Sequence, residues 1–394
     1  MTIRTALAQI GKENEASTKT YTDPTTGFDK VKIFPVKPTS LKNAEKTTKS
    51  IKRSAASGAP STSEPKKKAR KEIELIITPP NDSPQLQFGE RGYYPVKDEQ
   101  ILENRYELQK MLGYGSYGTV HLAKDLHTDE SVALKIVRTG ELYNIASDRE
   151  IGFMNTVKYT SRTTPNCVGS NNTVTLLDDF NLWGPHGLHV VMVMELLGPD
   201  LHSILHESSQ KVLTVHRIKS FSKNILEGLH FLHSKCKVMH LDLKPDNLCA
   251  TVDSDNMDLS DPNCSSRLKI GDFGNSARTN DVIKRNVQTH QYGAPESLLK
   301  VQITQAADIW SVGCIIYEMA TRELLFPTND EKMCDHRLKK WISPEELMSA
   351  HPMKKDEAEE LNGLLKELLA IDPKKRLSAE AAMNNQYFSD DCPD

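Results

Sequence analysis

Between about residues 105 and 197, apolar and polar positions alternate in short segments that glycines and polar turns separate. These segments are "YELQKMLGYGSYGTVHLAKD", "SVALKIV", "TVTLLDDF" and "HVVMVMELL". Alternation with period two is typical of strands in an antiparallel sheet. One stretch near "NIASDREIGFMNTV" has a helical pattern instead. We therefore predict a small β-rich lobe at about residues 106–197.

Beyond about residue 200 the period of the apolar positions changes. In "VHRIKSFSKNILEGLHFLHS", "ADIWSVGCIIYEMAT" and "AEELNGLLKELLAI" they recur at i, i+3, i+4 and i+7, as on one face of a helix. This pattern predicts a larger α-helical lobe at about 198–388. The fold class is thus α+β, with both lobes in one domain at residues 91–390.

Residues 1–90 have a different composition and form a basic tail. They hold 16 Lys and Arg against 10 Asp and Glu, and the rest of the chain holds 34 against 43. Few aromatic residues and no sustained period predict that the tail is mostly disordered. Within it, "SEPKKKARKE" is either a solvated charge run or a nuclear-import signal, and we favour the signal. It predicts an import receptor as a partner and a location in nucleus and cytoplasm.

Several classes of protein are disfavoured. The most apolar run, "LHVVMVMELLG", is shorter than the about 20 residues that cross a bilayer, and we predict no membrane association. The 7 cysteines form no C-x-x-C pair, which argues against a zinc site or a disulfide framework. The basic cluster lacks interleaved aromatic residues, so it provides no direct nucleic-acid-binding motif.

The segment "LGYGSYGTV" fits the pattern G-x-G-x-x-G-x-V through Gly113, Gly115 and Gly118. Glycines lack a Cβ atom, which lets backbone N–H groups approach phosphate oxygens closely. On its own the pattern also fits an ordinary hairpin. As part of an ATP site it predicts contacts from Leu112, Gly113, Tyr114, Gly115, Ser116, Tyr117, Gly118, Thr119 and Val120.

Lys135 ends the apolar segment "VALK", so its ammonium group leaves a core strand and needs a partner. A lysine at a sheet edge that reaches water is the plain interpretation. The functional one is that Lys135 grips the α- and β-phosphates of ATP and pairs with a carboxylate on the next helix. Asp148 and Glu150 both qualify, and the helical phase favours Glu150.

Two later segments supply polar groups for phosphoryl transfer. In "VMHLDLKPDN", Asp242 can orient a substrate hydroxyl and accept its proton, Lys244 can neutralise the transferring phosphate, and Asn247 can bind a metal. In "KIGDFGNSA", Asp272 follows an apolar strand and precedes a glycine, which suits a ligand of Mg²⁺. ATP and Mg²⁺ are therefore the predicted cofactors.

The order of these motifs, closed by "THQYGAPE", resembles that of protein kinases. The resemblance implies a two-lobed kinase fold and, from Lys244 and Thr289, a serine/threonine kinase that acts on protein substrates. It also implies that "ADIWSVG" and "DPKKR" are large-lobe kinase signatures. Further residues carried over from the resemblance are Val120 and Ala133 in the adenine pocket, Met194 as gatekeeper, Glu195 and Leu197 in the hinge, Asp308 as anchor of the catalytic loop, and Arg376 in a salt bridge with Glu296.

Within the kinases, the chain resembles the SR-protein kinase family of the CMGC group over roughly residues 91–390. The similar segments are "RGYYPVKDEQILENRYELQKMLGYGSYGTVHLAKD", "VTLLDDFNLWGPHGLHVVMVMELLGPDLHSIL" and "LKIGDFGNSARTNDVIKRNVQTHQYGAPESLL". This resemblance implies substrates that are nuclear, Arg-Ser-rich splicing factors and therefore basic.

The chain departs from the SR-protein kinase pattern in three places. Residues 251–267 form only a modest loop where the family has a long insertion. Gly293 stands where an arginine is usual, before an intact "APE". The chain is also short between Phe326 and Asp372, so the acidic docking groove for substrates is expected to be reduced or missing.

Leu241 stands beside Asp242 where many kinases have an arginine that pairs with a phosphate on the activation loop. A leucine cannot form that pair, and the SR-protein kinases also lack the arginine. The resemblance therefore implies a kinase that is active without phosphorylation of its activation loop. Two alternatives stay open: a CMGC kinase of the Clk or dual-specificity type with other substrates, and a pseudokinase scaffold.

Overall fold

The computed structural model describes residues 32–33, 73–74, 92–97, 99–164, 166–207, 213–251, 264–327 and 342–389. The chain divides into two compact units, Thr22–Pro80 and the remainder. In the first unit, β1 (Lys32–Ile33) pairs antiparallel with β2 (Ile73–Glu74). The rest of the basic tail, with its import-like cluster, lies outside the described residues. So do most of the loop at 251–267 and residues 328–341 of the shortened region.

The small lobe is built on one antiparallel sheet of six strands in the order β3-β4-β5-β6-β8-β7. A long helix follows β6, at the place where the sequence loses its alternation. The elements are β3 (Ile101–Leu102), β4 (Tyr106–Gly115), β5 (Gly118–Asp125), β6 (Ser131–Val137), α1 (Glu141–Thr163), β7 (Leu176–Gly184) and β8 (Gly187–Glu195).

The two faces of this sheet bury different side chains. On one face, Tyr106, Leu134 and Val191 belong to a separate small core that residue Tyr94 helps to cover. Residues such as Met192 on the other face join the main core of the chain, to which α1 also contributes. Because successive side chains of a strand point to opposite faces, the second face is available to a site between the sheet and α1.

The large lobe is mainly helical, as its sequence pattern predicts. Helix α4 is buried along nearly its whole length and forms the centre of the lobe. Helix α2 is capped by the preceding residue, Thr214, whose hydroxyl accepts a hydrogen bond from the N–H of Arg217. The helices are α2 (Val215–His230), α3 (Pro295–Leu298), α4 (Ala306–Thr321), α5 (Pro344–Ala350), α6 (Lys355–Leu368) and α7 (Ala379–Met383). The predicted two-lobed α+β architecture is confirmed.

Two short strand pairs in the large lobe bring two loops together. They are β9 (Val238–Met239) with β12 (Ala277–Arg278), and β10 (Leu248–Ala250) with β11 (Leu268–Ile270). Of these four strands the sequence predicted only the one before Asp272, β11. Residues 240–247 connect β9 to β10, and residues 271–276 connect β11 to β12. The polar groups of "LDLKPDN" and "GDFGNS" therefore lie side by side.

Short helical turns complete the described part of the chain. The turns are 3₁₀ at Ser170–Asn172, Pro245–Asn247, His290–Tyr292 and Gln386–Phe388, and π at Ser203–Glu207 and Phe231–Cys236.

None of the helices in the described part of the chain is long and apolar enough to cross a membrane.

Candidate active site

The strand register places four of the predicted ATP-binding residues on one face of the sheet. Val120 lies opposite Lys135 in the β5–β6 pair, and Ala133 lies opposite Met194 in the β6–β8 pair. Residues directly opposite each other share a face, and so do residues two apart on one strand. Val120, Ala133, Lys135 and Met194 thus form one surface that faces α1.

Thr119 does not belong to that surface. It neighbours Val120 on β5, so its side chain points to the opposite face, where it is fully buried with its hydroxyl 3.0 Å from Nε2 of His121. Of the predicted ATP-binding residues, Thr119 could reach a nucleotide only through its backbone.

The glycine-rich segment forms the hairpin between β4 and β5, in which Gly115 pairs with Gly118. Gly118 is required by space, because a Cβ atom there would lie 2.1 Å from the carbonyl oxygen of Ile136. Nothing lies within 4 Å of the Cβ positions of Gly113 and Gly115, which leaves this side of the hairpin open. The side chains of Leu112, Tyr114 and Tyr117 are exposed, and Ser116 lies at the turn.

Lys135 and Glu150 form the predicted ion pair. The ammonium nitrogen of Lys135 donates to both carboxylate oxygens of Glu150, at 2.7 and 2.9 Å, and lies 3.6 Å from Oδ1 of Asp272. Burial alone would lower the pKa of Lys135, but the two carboxylates outweigh it and raise that pKa. Lys135 is therefore charged at neutral pH. In turn, its charge holds the pKa of Asp272 below the usual value.

The sequence analysis predicts that Asp308 anchors the catalytic loop, and in the structure its carboxylate accepts three hydrogen bonds. Its carboxylate accepts from the backbone N–H of His240 at 2.9 Å, from that of Leu241 at 2.7 Å, and from Nε2 of His233 at 2.8 Å. Burial would raise the pKa of Asp308, yet these donors lower it, so the carboxylate is ionised inside the core. The segment before Asp242 is thereby attached to α4.

Leu241 is fully buried and has a φ of 65°, in the left-handed region that few residues other than glycine adopt. The two N–H bonds to Asp308 hold this conformation. No guanidinium group is present at this position to meet a phosphate on the activation segment.

The side chain of Asp242 is oriented from several sides. Oδ1 accepts from the hydroxyl of Thr289 at 2.6 Å, Oδ2 accepts from Nδ2 of Asn275 at 3.2 Å, and Nζ of Lys244 lies 3.5 Å from Oδ2. Asn247 donates its Nδ2 to the carbonyl of Asp242 at 2.8 Å, so its own Oδ1 remains for a cation. The sequence analysis singled out all of these residues except Asn275, for which it gave no signal.

Asp272 lies at the start of the second loop with a φ of 58° and an exposed carboxylate. The next residue, Phe273, is fully buried, and its ring packs edge to face against His240 at 5.5 Å. With Phe273 inside the core, the carboxylate of Asp272 remains near Lys135. Asp272 and Asn247 together offer the carboxylate and amide oxygens that Mg²⁺ prefers.

Glu195, which the resemblance to kinases assigns to the hinge, ends β8 and is held by its side chain. Lys269 on β11 donates to both carboxylate oxygens at 2.8 and 2.7 Å, a contact that the sequence did not predict. The N–H of Glu195 bonds to the carbonyl of Thr175. Within the described residues, the backbone of Leu197 has no hydrogen bond to another backbone group, so it can serve an adenine edge.

The predicted salt bridge between Glu296 and Arg376 is present and fully buried. Both guanidinium nitrogens donate to the carboxylate, at 2.7 and 3.1 Å, and Arg376 also donates to the carbonyl of Ala306 and stacks on Trp310. This contact fixes the end of the segment that starts at Asp272. The contacts of Arg376 with the carboxylate of Glu296, the carbonyl of Ala306 and the ring of Trp310 all lie within the large lobe.

The arrangement as a whole suits phosphoryl transfer. A lysine that pairs with a helix carboxylate, a metal-binding aspartate and a carboxylate that can orient a hydroxyl must all be in place for that reaction. Here Lys135 contacts both Glu150 and Asp272, and Asn275 on the loop that follows Asp272 contacts Asp242.

Comparison with known proteins agrees with this geometry. Residues 106–388 match the family model described as protein kinase domain. The chain is 28% identical over 389 residues to serine/threonine-protein kinase SRPK of Physarum polycephalum, which covers 77% of the chain and 90% of that relative. It is also 37% identical over 161 residues to SRSF protein kinase 3 of Mus musculus, covering 41% of the chain and 28% of the relative.

A third relative is of a different type. Dual specificity tyrosine-phosphorylation-regulated kinase 3 of Rattus norvegicus is 33% identical over 240 residues, which covers 61% of the chain and 38% of the relative. The similarity to SR-protein kinases that the sequence analysis inferred is confirmed by the first two relatives.

Proposed function

The chain belongs to the protein kinase family and is an ATP-dependent serine/threonine kinase, and we propose that it phosphorylates Arg-Ser-rich nuclear proteins. The observation that carries the kinase assignment is the Lys135–Glu150 pair with Asp272 and Asp242 beside it. Similarity to proteins named SRPK and SRSF protein kinase 3 supports the substrate class.

Asp242 is proposed as the group that orients the substrate hydroxyl and accepts its proton at a carboxylate oxygen. Thr289 and Asn275 hold that carboxylate in place. The Nζ of Lys244 lies 3.5 Å from Oδ2 of Asp242. Lys244 would stabilise the negative charge on the transferring phosphoryl group. Lys135 would bind the α- and β-phosphates, and the glycine-rich hairpin would cover them.

Mg²⁺ would be held by Asp272 and Asn247 together with the phosphates. The donor set fits this ion, which takes few protein ligands and binds mainly through carboxylates, phosphates and water. Bound there, Mg²⁺ neutralises phosphate charge. The proposed site has only two protein ligands, and it therefore differs from a metal site built of three or more His, Cys, Asp or Glu side chains, which is not found among the described residues.

We propose that the kinase is active without phosphorylation of its activation segment. Leu241 supports this because it is fully buried and cannot pair with a phosphate. The Lys135–Glu150 pair and the inward position of Phe273 also support it, because both are already formed in the unmodified chain. Location would then regulate activity, with import through residues 66–71 into the nucleus from the cytoplasm.

Charge supports a basic substrate. Residues 91–394 contain more Asp and Glu than Lys and Arg, 43 against 34. Near the site, the carboxylate of Asp246 is exposed one residue before Asn247 and can meet an arginine of the substrate.

The test is to treat the purified full chain with phosphatase and follow phosphate transfer from MgATP to two peptides. One is an Arg-Ser repeat and the other has every Arg replaced by Lys, so that net charge is matched. Preferential transfer to the Arg-Ser peptide without any prior phosphorylation is expected. Because Lys cannot form the two-pronged bond of Arg with a carboxylate, equal rates would point to simple charge attraction and count against Arg-Ser recognition.

A dual-specificity kinase with other substrates is the second candidate, and the relative from Rattus norvegicus is the observation that favours it. A Pro-directed peptide and mass-spectrometric mapping of autophosphorylated residues separate the two. Phosphotyrosine on the chain, with faster transfer to the Pro-directed peptide, would favour this candidate.

A further inference from the structure

The turn of the glycine-rich hairpin is held through three consecutive carbonyl groups. The hydroxyl of Tyr93 donates to the carbonyl of Gly115 at 2.9 Å. Arg138 donates its Nη1 to the carbonyl of Ser116 at 3.2 Å and its backbone N–H to that of Tyr117 at 2.9 Å. Two residues outside the hairpin thus bind every carbonyl from 115 to 117.

Tyr93 comes from a segment ahead of the part that matches the kinase family model, which starts at residue 106. The segment is fixed to the sheet, because the N–H of Thr139 donates to the carbonyl of Gly92 at 2.8 Å. Gly92 has a φ of 81°, and a Cβ atom there would lie 3.0 Å from the carbonyl oxygen of Thr139. Tyr93 itself is only 4% exposed, so its ring is firmly placed.

Arg138 connects this tether to α1. Its guanidinium lies between the rings of Tyr93 and Tyr143, 4.7 Å from the centre of each. Tyr143 is on α1 two turns before Glu150, so both side chains lie on the same face of the helix. The helix that supplies the carboxylate for Lys135 therefore also supports the residue that holds the hairpin.

Binding the carbonyls also sets the direction of the N–H groups. In a trans peptide the C=O and the N–H of the next residue point in opposite directions. With the carbonyls of 115, 116 and 117 turned toward Tyr93 and Arg138, the N–H groups of Ser116, Tyr117 and Gly118 point away from them. Successive backbone N–H groups at a turn can form a concave site for an anion.

We propose that Tyr93 and Arg138 are positioning residues that keep these N–H groups directed at the phosphates of the nucleotide. This role rests on the use of ATP given under the proposed function. The tether acts on the phosphate part of the site, because its three bonds all end in the hairpin turn and none reaches the adenine surface of Val120, Ala133 and Met194.

The decisive variant is Tyr93→Phe, which removes one hydroxyl and keeps the ring between its neighbours. Calorimetric titration of the full chain with ATP, ADP and adenosine would give three dissociation constants. Loss of one neutral hydrogen bond predicts about a fivefold weaker binding of ATP and ADP, and unchanged binding of adenosine. In steady-state assays the KM for ATP should rise by the same factor while the KM for peptide stays constant.

The adjacent tyrosine offers a matched control. The hydroxyl of Tyr94 accepts a hydrogen bond from Nε2 of Gln100 at 2.7 Å and, in the described part of the chain, forms none with the hairpin. Tyr94→Phe should therefore leave the affinity for all three ligands unchanged. Arg138→Lys, which keeps the charge and loses the bond to Ser116, should reproduce the selective loss of ATP and ADP.

Equal weakening of adenosine and ATP by Tyr93→Phe would overturn the proposal, since it would indicate a general distortion of the lobe. An ATP affinity equal to that of Tyr94→Phe would overturn it as well. In both cases the wild-type chain would still bind and use ATP, so the kinase assignment would stand. Absence of ATP binding by the wild-type chain would instead overturn the proposed function.

Discussion

The hydroxyl of Thr289 donates a hydrogen bond to Oδ1 of Asp242, with 2.6 Å between the two oxygens. Thr289 lies 47 residues further along the chain, in the segment that Glu296 anchors. One oxygen of Asp242, the proposed proton acceptor, is thus occupied by the chain itself, while Oδ2 faces Asn275 and Lys244. Under the proposed function a substrate hydroxyl would have to share this carboxylate with Thr289.

Asp242→Asn should reduce kcat by about 10²- to 10⁴-fold, because the amide cannot accept the proton. The affinity for ATP should be unchanged, since the nucleotide surface lies on the sheet. Thr289→Val is a useful comparison, because it keeps the base and removes only the orienting bond, and its kcat should fall by less. Steady-state kinetics with calorimetric ATP binding would check this. An Asp242→Asn enzyme with near-normal kcat would refute the assignment of the base.

Lys135→Met should abolish most transfer and lower the free energy of unfolding by roughly 3 kcal/mol, because the buried Glu150 loses its partner. Adding Glu150→Gln should restore much of the stability and none of the activity, which separates the two roles. The control is Lys124→Met, whose pair with Asp129 is exposed to solvent, so its loss should have little effect on stability. Urea unfolding and a phosphate-transfer assay on each variant would test this.

Arg376→Lys should destabilise the chain by about 2 to 4 kcal/mol, since a lysine cannot reproduce the bidentate contact with the buried Glu296. The exposed pair Lys355–Glu359 provides the control, and Lys355→Met should change stability by less than about 0.5 kcal/mol. Chemical unfolding curves give both values. A similar effect of the two substitutions would show that burial of the Glu296 pair does not matter.

Stability should depend on Asp125 at acid pH. Hydrogen bonds from Arg105 at 2.9 and 2.7 Å lower the pKa of Asp125 to about 2. The unfolded chain takes up this proton near pH 4, so the stabilisation by Asp125 is complete above that pH and is lost as the pH falls toward 2. The difference in free energy of unfolding between wild type and Asp125→Asn should therefore shrink from pH 6 to pH 3.

Asp129→Asn is the control for this pH series, because the Asp129 carboxylate is 85% exposed in its pair with Lys124. Its effect should be small at every pH. A wild-type and Asp125→Asn difference that stays constant from pH 6 to pH 3 would contradict the lowered pKa.

Much of the site could be predicted because the direction of a side chain follows regularly from its position along a strand or a helix. The helical phase correctly chose Glu150 over Asp148 as the partner of Lys135. The same kind of reasoning should have separated Thr119 from Val120, since neighbours on a strand point to opposite faces. The difference was missed because every residue of the glycine-rich segment was assigned to the ATP site together.

Other contacts have no local signal in the sequence. Asn275 reaches Asp242 because the β9–β12 pair brings together two loops that are far apart in the chain. Lys269 on β11 reaches Glu195 at the end of β8, which lies 74 residues earlier in the chain. The left-handed backbone of Leu241 was equally hidden, because leucine rarely adopts it without support such as the Asp308 carboxylate.

The hydrogen bonds to Asp308 also determine how fast two backbone amides before Asp242 exchange their hydrogens with solvent. The N–H groups of His240 and Leu241 both bond to it inside the most deeply buried helix of the large lobe. Amide hydrogens bound in this way exchange with solvent only when the surrounding core opens. We expect these two amides to exchange with deuterium as slowly as those in the middle of α4, so that the loop stays ordered until the lobe itself unfolds.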